Sequence, residues 1–338
     1  MANAEKARKA MLIINPISGG VGKKRHLSRI IRRLRNAGFH TDAYTTEYAG
    51  HAAELAFRAF SLGYGSVFVA GGDGTVNEVA GALRNSEVAL GILPCGSGNG
   101  LARHLGMPPD IDKAIDVIAK RHIEKCDSGI ANGIPFFCTF GTGFDAAVSR
   151  KFAEFKRRGP ISYVRSAMRE FLTYEPDTYT LRANGQEISF RAFIVAVANA
   201  SQYGNNAFIA PKASITDGLL DITIVHSGNP LELALFGINL FTGFLDSNSN
   251  MIIQSMRVKE AEIIKTKSTV HLDGEPMEMP GDVKVMCDPG SLMLYTLPEK
   301  KQFRPFLTPI LYMMRDTALF ISRPFRKAKE KADKNSYE

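Results

Sequence analysis

The fold prediction starts from the stretch Val67-Phe-Val-Ala-Gly71-Gly72-Asp73-Gly74-Thr75-Val-Asn-Glu78-Val79. Apolar β-forming residues come first, glycines around one carboxylate follow, and apolar residues at helical spacing come last, which predicts a strand, a tight turn and a helix. Glycines let a backbone approach a ligand closely, and the start of a helix suits a phosphate group. Asp73 would repel phosphate, so its place in the turn indicates a bridging cation or a role on an incoming hydroxyl group. An ordinary turn with a solvated aspartate is the alternative interpretation.

Strands and helices alternate on both sides of this stretch. Apolar strands are predicted at 11–14, 41–46 and 88–93, and amphipathic helices at 27–34, at 51–62 and after Asp110. This alternation predicts βαβ units and a mostly parallel sheet, in which ligands bind beyond the carboxyl ends of the strands. Three loops follow strands at that edge, so we expect Ser18, Asp73 and Ser97 to converge.

The pattern becomes shorter and richer in strands after residue 125. Strands are predicted at 136–142, 177–183, 190–198, 217–226, 258–265, 269–272, 283–287 and 292–297, with a hairpin turn at Asn184-Gly185. We interpret residues 126–297 as an antiparallel, sandwich-like domain, residues 1–125 as a nucleotide-binding α/β domain and residues 298–338 as a tail. Segment 151–174 is predicted to be a basic helix. Segment 231–245 is apolar on nearly all sides and predicts either a buried helix or a lipid-facing wall.

The composition is that of an ordinary globular protein, with 45% apolar and 22% charged residues among 338. Neither a membrane-spanning run nor a secretion signal is expected. Cys95, Cys126, Cys138 and Cys287 lack metal-binding spacing and are predicted to be free thiols.

The net charge is +8, and from Lys300 onward the chain has ten basic residues and four acidic ones. The tail, which has apolar residues among these bases over 303–331, either contacts an anionic membrane or packs on the first domain. Prolines exclude one long helix there, and the absence of a reading module argues against nucleic acid.

The glycine turn strongly resembles the nucleotide-binding signature of the diacylglycerol kinase catalytic-domain family, which includes sphingosine and ceramide kinases. Other motifs follow in the family's order: Asn15-Pro16-x-Ser18-Gly19-Gly20, Thr46-Glu47-x-x-Gly50, Leu93-Pro-Cys-Gly96-Ser97-Gly98-Asn99 and Leu272-Asp273-Gly274-Glu275-Pro276. The resemblance implies an α/β N-terminal domain with a parallel sheet, related to NAD kinases and phosphofructokinases. It also implies a β-rich, sandwich-like C-terminal domain.

The same resemblance implies ATP- and Mg²⁺-dependent phosphorylation of a membrane-lipid hydroxyl by a cytoplasmic enzyme at the inner membrane face. Whether the enzyme forms a homodimer is left undecided. It places the proton acceptor at Glu275, with Asp73 as a rival that could also hold Mg²⁺. A structural Mg²⁺ is implied at Asp217 and the carbonyl groups of Ser214 and Leu219. The implied nucleotide-binding residues are Asn15, Pro16, Ser18, Gly19, Thr46, Gly71, Gly72, Asp73, Gly74, Thr75, Glu78, Gly96, Ser97, Gly98 and Asn99.

The sequence gives conflicting indications of which lipid is the substrate. Asn99 is followed by Gly100 rather than by an acid, which is closer to sphingosine kinases. However, Ser149 stands where those kinases place an acid, and Asp145 matches diacylglycerol-type members. Glycerolipid and sphingoid base therefore both stay open. The turn alone would also fit a kinase for a soluble substrate such as NAD, and the missing acid would fit a catalytically silent lipid- or nucleotide-binding homologue.

Overall fold

A computed structural model describes residues 8–18, 24–153, 171, 173–245, 252–299, 307–314 and 317. The first part alternates strands and helices. Its elements are β1 (Lys9–Ile14), α1 (Lys24–Asn36), β2 (His40–Thr45), α2 (His51–Ser61), β3 (Ser66–Gly71), α3 (Asp73–Leu83), β4 (Ala89–Pro94), α4 (Gly100–His104) and α5 (Ile111–Ile118).

The strands of this part form a parallel sheet in the order β4, β3, β1, β2. The register pairs Ile14 with Ala70 and Ala70 with Leu93, so three strands end at one level. Strand β3 is buried along its whole length, because a parallel sheet is covered on both faces and its central strands must be apolar throughout. The α/β prediction for this part is confirmed.

The second part is rich in antiparallel strands, as predicted. Its elements are β5 (Ile123–Ala131), β6 (Ile134–Phe136), β7 (Thr139–Gly143), α6 (Phe144–Ala153), β8 (Asp177–Ala183), β9 (Gln186–Ala198), β10 (Leu220–His226), α7 (Pro230–Thr242), β11 (Ile253–Val258), β12 (Glu260–Ile264), β13 (Thr269–Leu272), β14 (Glu275–Glu278) and β15 (Val283–Tyr295). It has an apolar core of its own, around Phe140, Tyr179 and Ile222.

Strand β15 joins the two parts. The segments predicted at 283–287 and 292–297 are one strand, which pairs antiparallel with β5 and β12 and has an irregularity between Asp288 and Leu292. Gly290 absorbs that irregularity with a φ of +61°. Near the end of β15, Leu294 pairs in parallel with Leu90 of β4. The last strand therefore joins the second part to β4, the outer strand of the parallel sheet.

Helix α7 leaves an apolar face in solvent. It begins with a capping box between Asn229 and Glu232, while Phe236 is buried and Leu235 and Ile238 are exposed. The helix is thus not buried on all sides. Residues 307–314 are also helical and expose several apolar side chains. Most of the predicted basic helix at 151–174 and of the tail lies outside the described residues. Within the ranges given above, no helix is both long and apolar enough to cross a membrane.

Candidate functional site

The glycine turns after β3 and β4 touch each other. A Cβ on Gly96 would lie 2.6 Å from the Cα of Gly72, and a Cβ on Gly72 would lie 3.3 Å from the Cα of Gly96. The same position on Gly72 is 3.8 Å from Ser18 Oγ. The loops after β1, β3 and β4 therefore meet at one point, and side chains larger than hydrogen cannot enter between the two glycines.

The loop after β1 is braced against the start of α3. The side-chain Nδ2 of Asn15 donates to Thr75 Oγ1 at 2.9 Å, and the backbone N–H of Asn15 donates to the Ala70 carbonyl at 3.0 Å. Thr75 is buried and folds back over Gly71, where a Cβ would lie 2.7 Å from that of Thr75. The structure thus uses Asn15 and Thr75 to shape the turn.

The remaining residues of the first loop differ in exposure. Pro16 is exposed, whereas Ser18 is half-buried and lies near Gly72. Gly19 lies outside the described residues.

Asp73 is turned toward the loop after β4. Its Oδ2 accepts the amide of Asn99 at 2.8 Å and its Oδ1 accepts that of Gly100 at 2.7 Å. Burial raises the pKa of Asp73, while the two amides and the Arg103 guanidinium act in the opposite direction. The carboxylate therefore ties the two glycine turns together across 26 residues of sequence.

The loop after β4 is closed by its own asparagine. Asn99 has a left-handed φ of 52°; its Oδ1 accepts the Gly96 amide at 3.0 Å and its Nδ2 donates to the Gly96 carbonyl at 2.7 Å. A Cβ on Gly98 would lie 2.6 Å from Asp73 Oδ2. Ser97 is exposed at the tip of this loop, so its hydroxyl group can reach a ligand.

Two other predicted residues lie at the same edge. The Thr46 amide donates to the Ile14 carbonyl at 2.8 Å, and its half-buried side chain follows β2. Glu78 accepts the amide of Ala52 at 3.1 Å, which satisfies an open donor at the start of α2 where the cap residue is glycine. Glu78 therefore has a structural partner whether or not it also contacts a nucleotide.

Glu275, in the second part, reaches the start of α3. It begins β14, and its Oε1 lies 3.7 Å from the position of a Cβ on Gly74 in the first turn of α3. The residue is exposed. The structure thus brings an exposed carboxylate to the helix start that the sequence predicted as a phosphate site.

Asp273, to which the sequence prediction gave no role, anchors the turn that carries Glu275. Its carboxylate accepts three amides, from Phe137 at 2.8 Å, Cys138 at 2.6 Å and Thr139 at 2.8 Å. Burial raises the pKa of Asp273 to about 6, although these amides lower it. The signal for this turn was present, because Asp-Gly is a common pair in two-residue hairpins that need positive φ, and Asp273 and Gly274 have φ values of 51° and 85°.

Asp217 has a protein cation as its partner. Its Oδ2 lies 3.3 Å from the Arg257 guanidinium, which also contacts Asp221, and its Oδ1 accepts the Leu219 amide at 3.2 Å. Within the described parts of the chain, three or more His, Cys, Asp or Glu side chains do not gather as a metal-binding group. The predicted site consists of the Asp217 carboxylate and the carbonyl groups of Ser214 and Leu219, and it stays a prediction.

Comparisons with known proteins agree with this two-part architecture. A family model described as the diacylglycerol kinase catalytic domain matches residues 9–131, and one described as the YegS C-terminal NAD kinase beta sandwich-like domain matches residues 138–296. A solved structure titled as a diacylglycerol kinase from Bacillus anthracis superposes with a TM-score of 0.68 at 24% identity, covering 86% of this chain and 97% of that one. At this identity the likeness supports the fold.

Curated relatives are similar over most of their length. A diacylglycerol kinase of Bacillus subtilis is 29% identical, covering 79% of this chain and 90% of that protein. One of Staphylococcus carnosus is 30% identical, covering 67% and 75%. A Klebsiella pneumoniae protein named "Probable lipid kinase YegS-like" is 30% identical, covering 79% and 89%. The fold and the glycine turns are those of a family of two-domain kinases. The chain belongs to the diacylglycerol kinase family of lipid kinases, which confirms the resemblance inferred from its motifs.

Proposed function

We propose that this protein transfers the γ-phosphate of ATP, with Mg²⁺, to the primary hydroxyl group of a neutral glycerolipid such as diacylglycerol. The observation that carries the proposal is the approach of Glu275 Oε1 to Gly74 in the first turn of α3. A helix start offers N–H groups and partial positive charge to a phosphate. A carboxylate beside that point is where a proton acceptor for the attacking hydroxyl group is needed.

Phosphoryl transfer depends mainly on positioning and on neutralising charge. The close contact between Gly72 and Gly96 brings the two glycine turns together at the strand ends, and the start of α3 leaves N–H groups without partners inside the helix. We therefore propose that the nucleotide lies over the loops containing Asn15, Gly72 and Ser97. Asp73 is the weaker candidate for proton acceptor, because both of its oxygens already accept amides.

The residues present are compatible with a magnesium ion at Asp73. Each of its oxygens accepts one amide, and a carboxylate oxygen has a second lone pair. Mg²⁺ is commonly held by one or two carboxylates together with water and phosphate oxygens. When bound there, the ion would neutralise charge on the phosphate groups. Asp73 would hold it while also fixing the two glycine turns.

A neutral lipid is favoured over a sphingoid base because the nearby acid is already in use. The Asp145 carboxylate accepts the Ala146 amide and the Tyr203 hydroxyl, both at 2.8 Å, and contacts His271 at 3.1 Å. Buried in this way, it is a poor partner for the ammonium group of a sphingoid base. Ser149, at the place of the acid in sphingosine kinases, is buried and uncharged.

We further propose that the enzyme is cytoplasmic and reaches its lipid at the inner membrane face. Helix α7 exposes Leu231, Leu235, Ile238 and Phe241 along one side, a spacing that puts them on one helix face. The Leu240 carbonyl accepts the amide of Phe208, and the loop containing Phe208 reaches the glycine turn at Gly98 through Asn205. Helix α7 is therefore connected through this loop to the glycine turn at Gly98, and the basic tail adds attraction to anionic lipid.

An assay with radiolabelled ATP and Mg²⁺ tests the proposal on purified protein. Diacylglycerol, sphingosine and NAD are each offered, the lipids in vesicles with or without phosphatidylglycerol. We expect label in diacylglycerol, at least about tenfold less in sphingosine, none in NAD, and faster labelling on the anionic vesicles. Labelled NAD would favour the soluble-substrate alternative. Binding of lipid without phosphate transfer to any acceptor would favour a silent homologue.

Two glycine-to-alanine substitutions in α3 separate the site from the helix. At Gly74 the added Cβ meets Glu275 at an ordinary distance of 3.7 Å, so we expect Gly74→Ala to fold normally and to lose at least about tenfold in kcat, because a methyl group displaces atoms by about 1 Å or more in the reaction space. At Gly81 a Cβ meets nothing within 4 Å. Gly81→Ala should keep kcat and raise the free energy of unfolding by about 0.5–1 kcal/mol. Steady-state kinetics and urea unfolding measure both, and full activity of Gly74→Ala would contradict the assignment.

A further inference from the structure

A hydrogen-bonded chain of three side chains lies beneath the Glu275 turn and has no part in the mechanism described above. Asp145 and His271 are buried, with exposed side-chain fractions of 6% and 1%, and their Oδ2 and Nε2 atoms are 3.1 Å apart. The half-buried Tyr203 donates its hydroxyl to the same Oδ2 at 2.8 Å. Polar groups taken out of water in this way are costly unless their geometry is satisfied, so the arrangement calls for a reason.

The imidazole of His271 connects this chain to the turn. The amide of Gly274 donates to its Nδ1 at 3.3 Å, so Nδ1 is an acceptor and carries no proton. The ring proton is then on Nε2, where it faces the Asp145 carboxylate. Asp145 thus selects the tautomer that can receive the Gly274 amide. That amide belongs to the peptide bond between Asp273 and Gly274, and Gly274 directly precedes Glu275.

Space for the chain is provided by a glycine in the neighbouring strand. Gly141 of β7 is paired with His271 of β13, and a Cβ on Gly141 would collide with both the Asp145 carboxylate and the His271 ring. Asp145 itself is set at the start of α6, where its Oδ1 accepts the Ala146 amide at 2.8 Å. Three elements therefore fix the Asp145–His271 pair: β13 carries His271, α6 carries Asp145, and β7 provides the space at Gly141.

The other end of the chain touches the nucleotide side of the site. Tyr203 leads into Gly204, where a Cβ would lie 3.2 Å from the backbone of Gly98. The next amide, of Asn205, donates to the Gly98 carbonyl at 3.3 Å. The same carbonyl accepts Arg103 Nε at 2.8 Å. A continuous set of contacts therefore runs from the glycine loop after β4 to the turn that carries Glu275.

We infer that His271 is a positioning residue, which holds the Gly274 amide and so sets the backbone direction of Glu275. Asp145 and Tyr203 hold the imidazole in the required tautomer and connect it to the loop at Gly98. His271 touches neither reactant in this arrangement, so it acts on turnover through Glu275. The inference rests on the proposed function, because Glu275 is its target.

Three substitutions at His271 isolate the contact with Gly274. In His271→Asn the amide oxygen can take the place of Nδ1, whereas His271→Gln can replace only Nε2 and His271→Leu replaces neither atom. We expect kcat to fall by about 10- to 100-fold in the Gln and Leu variants, because small misplacements of reacting groups cost that much. His271→Asn should recover most of the loss. KM for ATP and for diacylglycerol should stay within about twofold in all three, since His271 contacts neither reactant.

A control separates positioning from general loss of packing. Val270 lies next to His271 in β13 and is fully buried, so Val270→Ala should lower the urea midpoint of unfolding and keep kcat at temperatures well below unfolding. Hydrogen exchange followed by NMR reports on the contact without any need for activity. The Gly274 amide should exchange at least about tenfold faster in His271→Leu and near the wild-type rate in His271→Asn. Spectra of protein with ¹⁵N-labelled histidine should show the Nε2–H tautomer at His271.

The outcomes are distinct. A wild-type protein that transfers no phosphate would end the proposed function, while the exchange and tautomer measurements would still test the contact. Active wild-type protein with an unaltered kcat in His271→Leu would overturn the inference. A loss of kcat with unchanged Gly274 exchange, or without recovery in His271→Asn, would overturn it as well.

Discussion

Glu275→Gln is expected to lower kcat for lipid phosphorylation by about 10²- to 10⁴-fold, the usual contribution of a positioned general base. The side chain keeps its size but loses its negative charge and, with it, the ability to accept a proton. KM for ATP and lipid should change by less than about twofold, because an interaction needed for the proton transfer affects turnover more than ground-state binding. Steady-state rates at saturating ATP with diacylglycerol in micelles measure the effect.

The matched control for this variant is Glu278→Gln at the other end of β14. Glu278 is also exposed, but it accepts hydrogen bonds from the Ser268 and Thr269 hydroxyls. Its substitution should leave kcat within about twofold, as is usual for surface positions. Equal losses in the two variants would mean that the hairpin as a whole is sensitive, and would remove the special role assigned to Glu275.

The α/β part could be predicted because its signals are local. Strand β3 is buried at every position, is apolar from Val67 to Ala70 and leads directly into glycines, and this pattern is decided within about a dozen residues. Strand β15 was predicted as two strands because Pro289-Gly290 is an ordinary turn signal. In the structure the pairing with β5 continues on both sides of these residues. Long-range pairing therefore prevailed over a local signal.

The short strand β14 was missed for a related reason. It contains Pro276 and two glutamates, which are unusual in strands. It pairs with β13 and lies at the end of the sheet order, and an edge strand tolerates both proline and charge. Without this strand, the motif around Glu275 could be placed in a turn, but the direction of its side chain toward Gly74 could not be derived.

The contacts that shape the candidate site join residues far apart in the chain. The Asp73 side chain bonds to amides 26 and 27 residues away, and His271 meets Asp145 across 126 residues. A motif marks such residues as a group without stating which atoms meet. This is why the sequence left Asp73 open between metal ligand and proton acceptor. The structure adds a third role, the joining of two glycine turns.

That third role gives the second large prediction, for Asp73→Asn. The side-chain amide of asparagine has one acceptor oxygen, so its NH₂ group would face the backbone N–H of Asn99 or Gly100. Losing a charge-assisted hydrogen bond and leaving a donor unpaired should cost about 2–3 kcal/mol in the free energy of unfolding. Because the two glycine turns would separate, we expect ATP affinity to fall by at least about tenfold and kcat/KM for ATP by at least about 100-fold. Urea unfolding, calorimetry and steady-state kinetics measure these three quantities.

The same substitution at Asp110 is the control. Asp110 caps α5 by accepting the Lys113 amide at 3.1 Å, and asparagine caps helices about as well as aspartate. Asp110→Asn should therefore keep stability within about 0.5 kcal/mol and leave ATP binding unchanged. If Asp73 were instead the proton acceptor, Asp73→Asn would in addition lower kcat at saturating ATP by about 10²-fold or more. That result would transfer to Asp73 the role proposed for Glu275, because the two carboxylates differ in what they already bind: Asp73 holds two amides, whereas Glu275 stands exposed at the start of α3.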